Sequence, residues 1–230
     1  MTNSASSRAF APSDNSVRPK IDGRKRRSNE KRIAVLQAAA EVFKEEGFVG
    51  ASMDVIAARA EVSKPTVYRY FDTKEQLFDA ILDDVANRVL VAAPDASDSE
   101  SVHIDLCALA KHAAAVILSE NLIALQRLAI AEFTRFPSLT KRFYEHGPKK
   151  VIAGFKSVIA AQARQGLLEI DNLDVATSRF WGLTLGMPHR TKLIDPNWNM
   201  SEDEVEHWID EGVAAFIRLY SRDRNSEIEN

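Results

Sequence analysis

The chain has 230 residues and a mass of 25.6 kDa, enough for one or two domains with a full hydrophobic core. Hydrophobic residues at 45% and charged ones at 27% exclude a disordered chain, and Cys107, the sole cysteine, excludes an intramolecular disulfide and a Cys-rich zinc centre. No apolar run reaches the roughly 20 residues of a membrane span and no apolar segment near the start marks a secretory signal, so a cytoplasmic protein without a membrane partner is expected.

The net charge of −3 conceals an asymmetry. Residues 1–75 hold fourteen bases against ten acids, and eight of those bases fall between Arg18 and Arg32 with only Asp22 and Glu30 opposing them. Two readings fit: one end of the chain meets a polyanion, or a basic tail is simply solvated. Residues 1–27, rich in Ser, Asn, Pro and Arg, are expected to be a disordered basic arm. From Ser28 onward the pattern is helical. Ile33, Leu36, Ala40 and Phe43 recur at helical spacing and Gly47 offers a stop. Ser52 is a candidate N-cap for a short helix over 53–60, and Pro65 suits the first turn of another over 64–71. Thr73-Lys74-Glu75-Gln76 is a capping box that opens a longer helix over 74–92. Pro94 and the Asp/Ser-rich stretch 95–101 break the chain. Further helices are predicted near 102–118, 121–135, 137–146, 148–165, 173–188 and 202–221, the last opened by the capping box Ser201–Glu204, with a tail at 223–230. No segment alternates with period two, so the expected fold is all-α.

The helices at 28–46, 53–60 and 64–71, with the turn Glu61-Val62-Ser63 between the last two, have the lengths and spacing of a helix-turn-helix. The second helix of such a motif enters the major groove of double-stranded DNA. Val67 and Phe71 fall four apart and pack inward beside Val62, leaving Lys64, Thr66, Tyr68 and Tyr70 to point outward.

At these residues the chain resembles the TetR family of bacterial transcriptional regulators. The resemblance runs through Ile56-Ala57-Ala58-Arg59-Ala60-Glu61-Val62-Ser63-Lys64-Pro65-Thr66-Val67-Tyr68-Arg69-Tyr70-Phe71 and on to Lys74, Glu75 and Leu77. Glu61 departs from it, standing where the family usually has glycine. The resemblance implies that Ser52 and Lys74 touch phosphates and that Lys64, Pro65, Thr66, Tyr68 and Tyr70 meet bases and backbone. Lys64 and Thr66 would read base edges, and Arg24 to Arg27 would reach phosphates or the minor groove unless they form only a solvated tail.

The stretch Glu132-Phe133-Thr134-Arg135-Phe136-Pro137-Ser138-Leu139, followed by Phe143 and Gly147-Pro148, resembles the AefR-like type of C-terminal domain in that family. The implied architecture is a helix-turn-helix DNA-binding domain over 28–75 and a helical effector-binding and dimerisation bundle over 76–222. The homodimer would form through helices 173–188 and 202–221, whose large apolar residues (Phe180, Trp181, Leu183, Leu185, Trp208, Val213, Phe216, Ile217, Tyr220) spread over more than one face. Packing entirely within one chain is the alternative. An apolar pocket for an unidentified small-molecule effector is expected between these helices, with His112, Arg127, Phe133, Phe155, Trp181 and His189 as candidate lining residues.

Enzyme motifs are absent, and no cofactor is implied. Asp203 and His207 have a metal-ligand spacing but read more simply as acids and a neighbour at a helix N-terminus. His103 and Asp105 beside Cys107 suggest a thiol site, yet adjacency in sequence is not catalytic geometry, so no metal or catalytic residue is assigned. The expected function is a ligand-responsive transcriptional repressor that binds a near-palindromic operator as a dimer and is released by its effector. The alternatives are an architectural DNA-binding protein without an effector, and an all-α ligand-binding protein or enzyme that retains the N-terminal motif.

Overall fold

Local signals place most of the helices where the sequence puts them. The structure, a computed structural model, describes residues 23–91 and 101–221. The expected arm up to residue 22, the break at 92–100 and the end of the chain from residue 222 lie outside the described residues. The elements are α1 (Gly23–Gly50), α2 (Met53–Arg59), α3 (Lys64–Tyr70), α4 (Lys74–Val91), α5 (Val102–Ile117), α6 (Glu120–Ala131), α7 (Pro137–His146), α8 (Pro148–Arg164), α9 (Leu173–Trp181), a π-helical segment (Gly182–Gly186), α10 (Met187–Ile194) and α11 (Glu202–Tyr220). No strand occurs among the described residues.

The caps are explicit. Ser52 accepts a hydrogen bond from the backbone N–H of Val55, and Ser201 and Glu204 form the reciprocal capping box at the start of α11. At α4 the N–H of Gln76 donates to Thr73 Oγ1, while Gln76 Oε1 reaches back one residue further than the box requires and accepts from the N–H of Asp72. Gly47 has φ 72° and breaks the helical run of α1 before its final turn, a conformation that a side chain would strain.

Three boundaries differ from expectation. Helix α1 begins at Gly23, inside the expected arm 1–27, because Arg24 to Arg27 are good helix formers and Arg26 pairs with Glu30 one turn later. Helix α6 stops at Ala131 rather than near 135, its C-cap Glu132 followed by a turn, and Phe136 before Pro137 is non-helical with φ −135° and ψ 72°. The helix expected over 173–188 instead continues to Ile194 through the π-helical turn. Pro188 has no N–H for the ordinary i→i−4 ladder, and the wider turn precedes it.

Two apolar cores organise the chain. The first joins α1, α2, α3 and the first half of α4 around the aromatic triad Phe43, Phe48 and Phe78, whose ring centroids lie 5.4–5.9 Å apart. It also takes in Leu125 and Ala129 of α6 and Leu139 of α7, so the three-helix unit is seated directly on the C-terminal helices. The second joins α5, α8, α9, the π segment and α11, with Phe155, Phe180 and Phe216 fully buried. Helix α4 belongs to both: Leu77, Phe78, Ile81 and Leu82 enter the first core, Ala86 and Val89 the second. Each large side chain so buried contributes about 1.5–3 kcal/mol, so α4 is anchored in both cores.

Candidate nucleic-acid interface and ligand cavity

Helix α3 is anchored from one side only. Val67 is fully buried, and Phe71, 5% exposed, closes its C-terminal end. The turn before it requires Glu61 at φ 53°, the left-handed conformation for which glycine is the unstrained choice. Lys64, Pro65, Tyr68 and Arg69 are exposed along the free face. The ammonium of Lys64 pairs with Asp54 of α2 at 2.7 Å, and this hydrogen bond and charge hold it more firmly protonated than a free lysine. Both groups are solvent-exposed, so the pair is weak and its cation can be redirected. Thr66 is half-buried and its hydroxyl bonds Ser63 Oγ at 2.8 Å, closing the first turn of α3. Ser52 is exposed at the N-terminus of α2 beside this face.

Two of the expected contact residues have partners within the chain. Tyr70 does not point outward: its hydroxyl donates to the backbone carbonyl of Ser28 at 2.9 Å and bonds the Ser28 hydroxyl and Arg69 as well, tying α3 to α1. At the end of a seven-residue helix it falls on the side facing α1. Lys74 is not a free cation: its ammonium donates to the carbonyls of Phe48 at 2.7 Å and Val49 at 3.1 Å, satisfying the C-terminal end of α1. Arg69, passed over in the sequence, is exposed on α3 with its guanidinium 4.8 Å from the Tyr70 ring centroid.

A cavity of about 320 Å³ lies among α4 to α10. Its walls are apolar: Leu82, Val85, Ile117, Leu122, Phe143, Val151, Ile152, Phe155 and Trp181. Gln126, Thr177, Ser178 and His189 supply the polar side chains. His189 Nε2 lies 2.7 Å from Gln126 Oε1, and burial pushes its pKa below the ordinary histidine value. The neutral ring therefore donates from Nε2 and leaves Nδ1 as an acceptor.

Phe155, Trp181 and His189 line this cavity as expected, but His112, Arg127 and Phe133 do not. His112 Nε2 bonds the carbonyl of Arg88 at 2.5 Å, joining α5 to α4. Arg127 donates to the carbonyls of Leu193 and Lys192 and closes the C-terminal end of α10 onto α6. Phe133 lies beyond the end of α6 on a solvent-facing turn and is 58% exposed. The other lining residues, among them the polar Gln126, Thr177 and Ser178, were missed; only their helical register could have signalled them.

A charged cluster ties α4 to α7 and α8. Arg142 and His146 of α7 and Lys150 of α8 pair with Asp79 and Asp83 of α4. Burial raises the Asp83 pKa, but hydrogen bonds from Lys150 and His146 outweigh it and hold the carboxyl below its ordinary value. This bracket fixes the helices that line the cavity to the helix that leads to α3.

The expected dimer surface narrows. Phe180, Leu185, Val213, Phe216 and Tyr220 are buried within the chain, and Trp181, Leu183 and Ile217 are half-buried against the same core. Exposed apolar side chains on α9 to α11 are Val175, Met187, Ile194 and Trp208.

Elsewhere, Asp203 and His207 are exposed on α11, and Glu204 serves the capping box. Asp105 turns away from Cys107 and accepts from Gln162 Nε2 at 2.8 Å in the core. His103 and Cys107 instead meet Asp210 of α11, a convergence across 103 residues that sequence adjacency did not show. Burial and the Asp210 carboxylate push the Cys107 thiol up to about 11. Among the described residues no single helix is long and apolar enough to cross a membrane.

Comparison with known proteins places these features in a family. The family model for bacterial regulatory proteins of the tetR family matches residues 35–81, and that for the AefR-like transcriptional repressor C-terminal domain matches residues 105–222. An HTH-type transcriptional repressor of Mycobacterium tuberculosis is 39% identical over 75 residues, 32% of this chain and 40% of the relative. That match thus spans less than half the length of this curated relative. Among solved structures, a Mesorhizobium loti protein assigned to the TetR family is similar with a TM-score of 0.73 and 31% identity, covering 85% of this chain and 98% of that one. The flavonoid-responsive regulator FrrA is similar with a TM-score of 0.67 and 28% identity, covering 84% of this chain and 98% of that one.

Proposed function

The chain belongs to the TetR family of bacterial regulatory proteins, with a C-terminal domain of the AefR-like type, and from that premise we propose that it is a ligand-responsive transcriptional repressor. In this reading it binds a near-palindromic operator as a homodimer. A small molecule in the cavity among α4 to α10 releases it. The exposed N-terminal half of α3 reads the groove, with Lys64 and Thr66 at base edges, Pro65 and Tyr68 beside them and Ser52 on phosphate. Tyr70 ties α3 to α1 and Lys74 holds the end of α1, and in this reading Lys74 also meets a phosphate and Tyr70 the DNA backbone. The DNA-binding unit then extends through the first half of α4, and the effector and dimerisation unit takes the remainder to residue 222.

One observation carries the ligand-responsive part: α4 contributes Leu82 and Val85 to the cavity wall, Asp79 and Asp83 to the charged bracket that ties it to α7 and α8, and Leu77 and Phe78 to the core beneath α3. A ligand that spreads the cavity pushes on the element that sets the position of the reading head. The ligand class is apolar and compact, held by one or two hydrogen bonds at His189, Gln126, Thr177 or Ser178. The solved relative described as flavonoid-responsive makes flavonoids and similar flat phenols the first compounds to screen by thermal shift. Coupling is reciprocal. A ligand bound about 100-fold more weakly by the operator complex than by the free protein corresponds to about 2.7 kcal/mol. Titrating a hit against the free protein and against the operator complex is expected to give weaker binding to the complex. Equal affinities would refute effector control and favour the architectural alternative.

A further inference from the structure

We propose that His103, Cys107 and Asp210 form a binding site for a borderline divalent cation of the zinc class, which clamps α11 onto α5. His103 and Cys107 are four residues apart on α5 and share one face, and Asp210 comes from α11, which packs along that face. The three side chains offer one nitrogen, one sulfur and one oxygen. Asp210 Oδ1 lies 3.6 Å from His103 Nε2 and 3.7 Å from Cys107 Sγ, and the third side of the triangle, Cys107 Sγ to His103 Nε2, is 3.9 Å. A tetrahedral zinc ion with bonds of roughly 2.0–2.3 Å holds its ligand atoms about 3.3–3.6 Å apart. The triangle is thus within a few tenths of an ångström of one face of such a tetrahedron.

Hydrogen bonding alone explains the convergence poorly, since both sulfur contacts are long and a thiol is a weak partner. The side chains of His103 and Asp210 are 40% and 54% exposed, leaving the fourth position open to a water molecule and an entry path to the ion. One helical turn along, Lys111 pairs with Glu206 at 3.1 Å, so the nearest cation on α5 is already matched on α11. The ligand set selects against magnesium and calcium, which take oxygen ligands, and suits zinc or its spectroscopic substitute cobalt. On binding, the sulfur–metal bond replaces the S–H bond and the thiol proton leaves to solvent; no electron is transferred.

Cobalt titration of the tag-free, metal-stripped full chain tests the site. Cys107 is the only cysteine, so a thiolate-to-cobalt charge-transfer band has a single source. The expected result is that band together with tetrahedral visible absorption, saturating at one cobalt per chain and displaced by zinc but not by magnesium. Zinc is also expected to raise the melting temperature. Asp210→Asn, a near-isosteric change at a side chain 54% exposed, is expected to lower cobalt affinity at least tenfold and abolish the zinc-induced shift, with the helical circular dichroism unchanged. Absence of the charge-transfer band at stoichiometric cobalt, or an Asp210→Asn chain that binds as tightly as the parent, would overturn the proposal.

Discussion

Lys64 and Tyr70 stand six residues apart on one short helix and have opposite tasks. The Lys64 ammonium is held by exposed partners, the Asp54 carboxylate and the face of Tyr68, and can exchange them for a base edge or phosphate. The Tyr70 hydroxyl is spent on Ser28. Replacing Lys64 with Ala is therefore expected to weaken binding to an operator about tenfold or more while changing affinity for random DNA much less. Tyr70→Phe is expected to cost about 1 kcal/mol of stability and to leave the ratio of operator to random affinity unchanged. Fluorescence anisotropy on the two DNAs, with thermal melts of both variants, separates these outcomes; equal losses on both DNAs for Lys64→Ala would remove it from base readout. His189 gives a prediction in pH. Burial depresses its folded pKa, so the unfolded chain takes up the proton first as pH falls through the ordinary histidine range of about 6.5. The stability held at neutral pH is accordingly lost on acidification. The melting temperature of the parent should drop more steeply between about pH 7.5 and 5.5 than that of His189→Gln, which carries no titrating ring. Parallel curves would show that His189 titrates alike in both states.

At the scale of elements, the π-helical turn is the seat of α11. A Cβ placed on Gly212 would lie 2.5 Å from the carbonyl oxygen of Leu183 and 2.9 Å from its carbonyl carbon, both backbone atoms that no rotamer change can move. Gly212→Ala is expected to destabilise the chain by about 1–3 kcal/mol, read as a lowered denaturation midpoint; an unchanged midpoint would mean that α11 can slide on its seat. What the sequence made legible follows from the range of each interaction. Caps at Ser52, Gln76 and Ser201, the glycine stop at Gly47 and the strained Glu61 are local, and residue type and spacing specify them. The same holds for α3, because Val67 and Phe71 mark its buried side within one turn. Cavity lining is not local. A helical histidine or phenylalanine does not announce which neighbour its face meets, so His112, Arg127 and Phe133 were expected inside, whereas the first two satisfy backbone carbonyls 24 and 66 residues away and the third faces solvent. Asp210 was invisible as a partner for Cys107 for the same reason, since only the packing of α11 on α5 brings them together.

Across the whole molecule, charge, cores and cavity point along one axis. The basic end carries α3, the acidic remainder carries the cavity, and α4 runs through both apolar cores between them. A single recognition helix of this length reads only a few base pairs, too few to locate a site among the roughly 10⁶ or more competitors in a genome. Two copies related by a two-fold axis meet that demand, and Val175, Met187, Ile194 and Trp208 offer exposed apolar surface on α9 to α11 for pairing them. Their reading heads would then sit about 34 Å apart, the separation of successive major grooves on one side of B-DNA. A nuclease footprint of the purified full-length protein on the DNA upstream of its own gene tests this most directly. The account predicts one protected segment containing an inverted repeat, with half-site centres a whole helical turn or a multiple of it apart, lost in Lys64→Ala at concentrations where the parent protects fully. Protection without inverted symmetry, or none at concentrations that already coat random DNA, would contradict it.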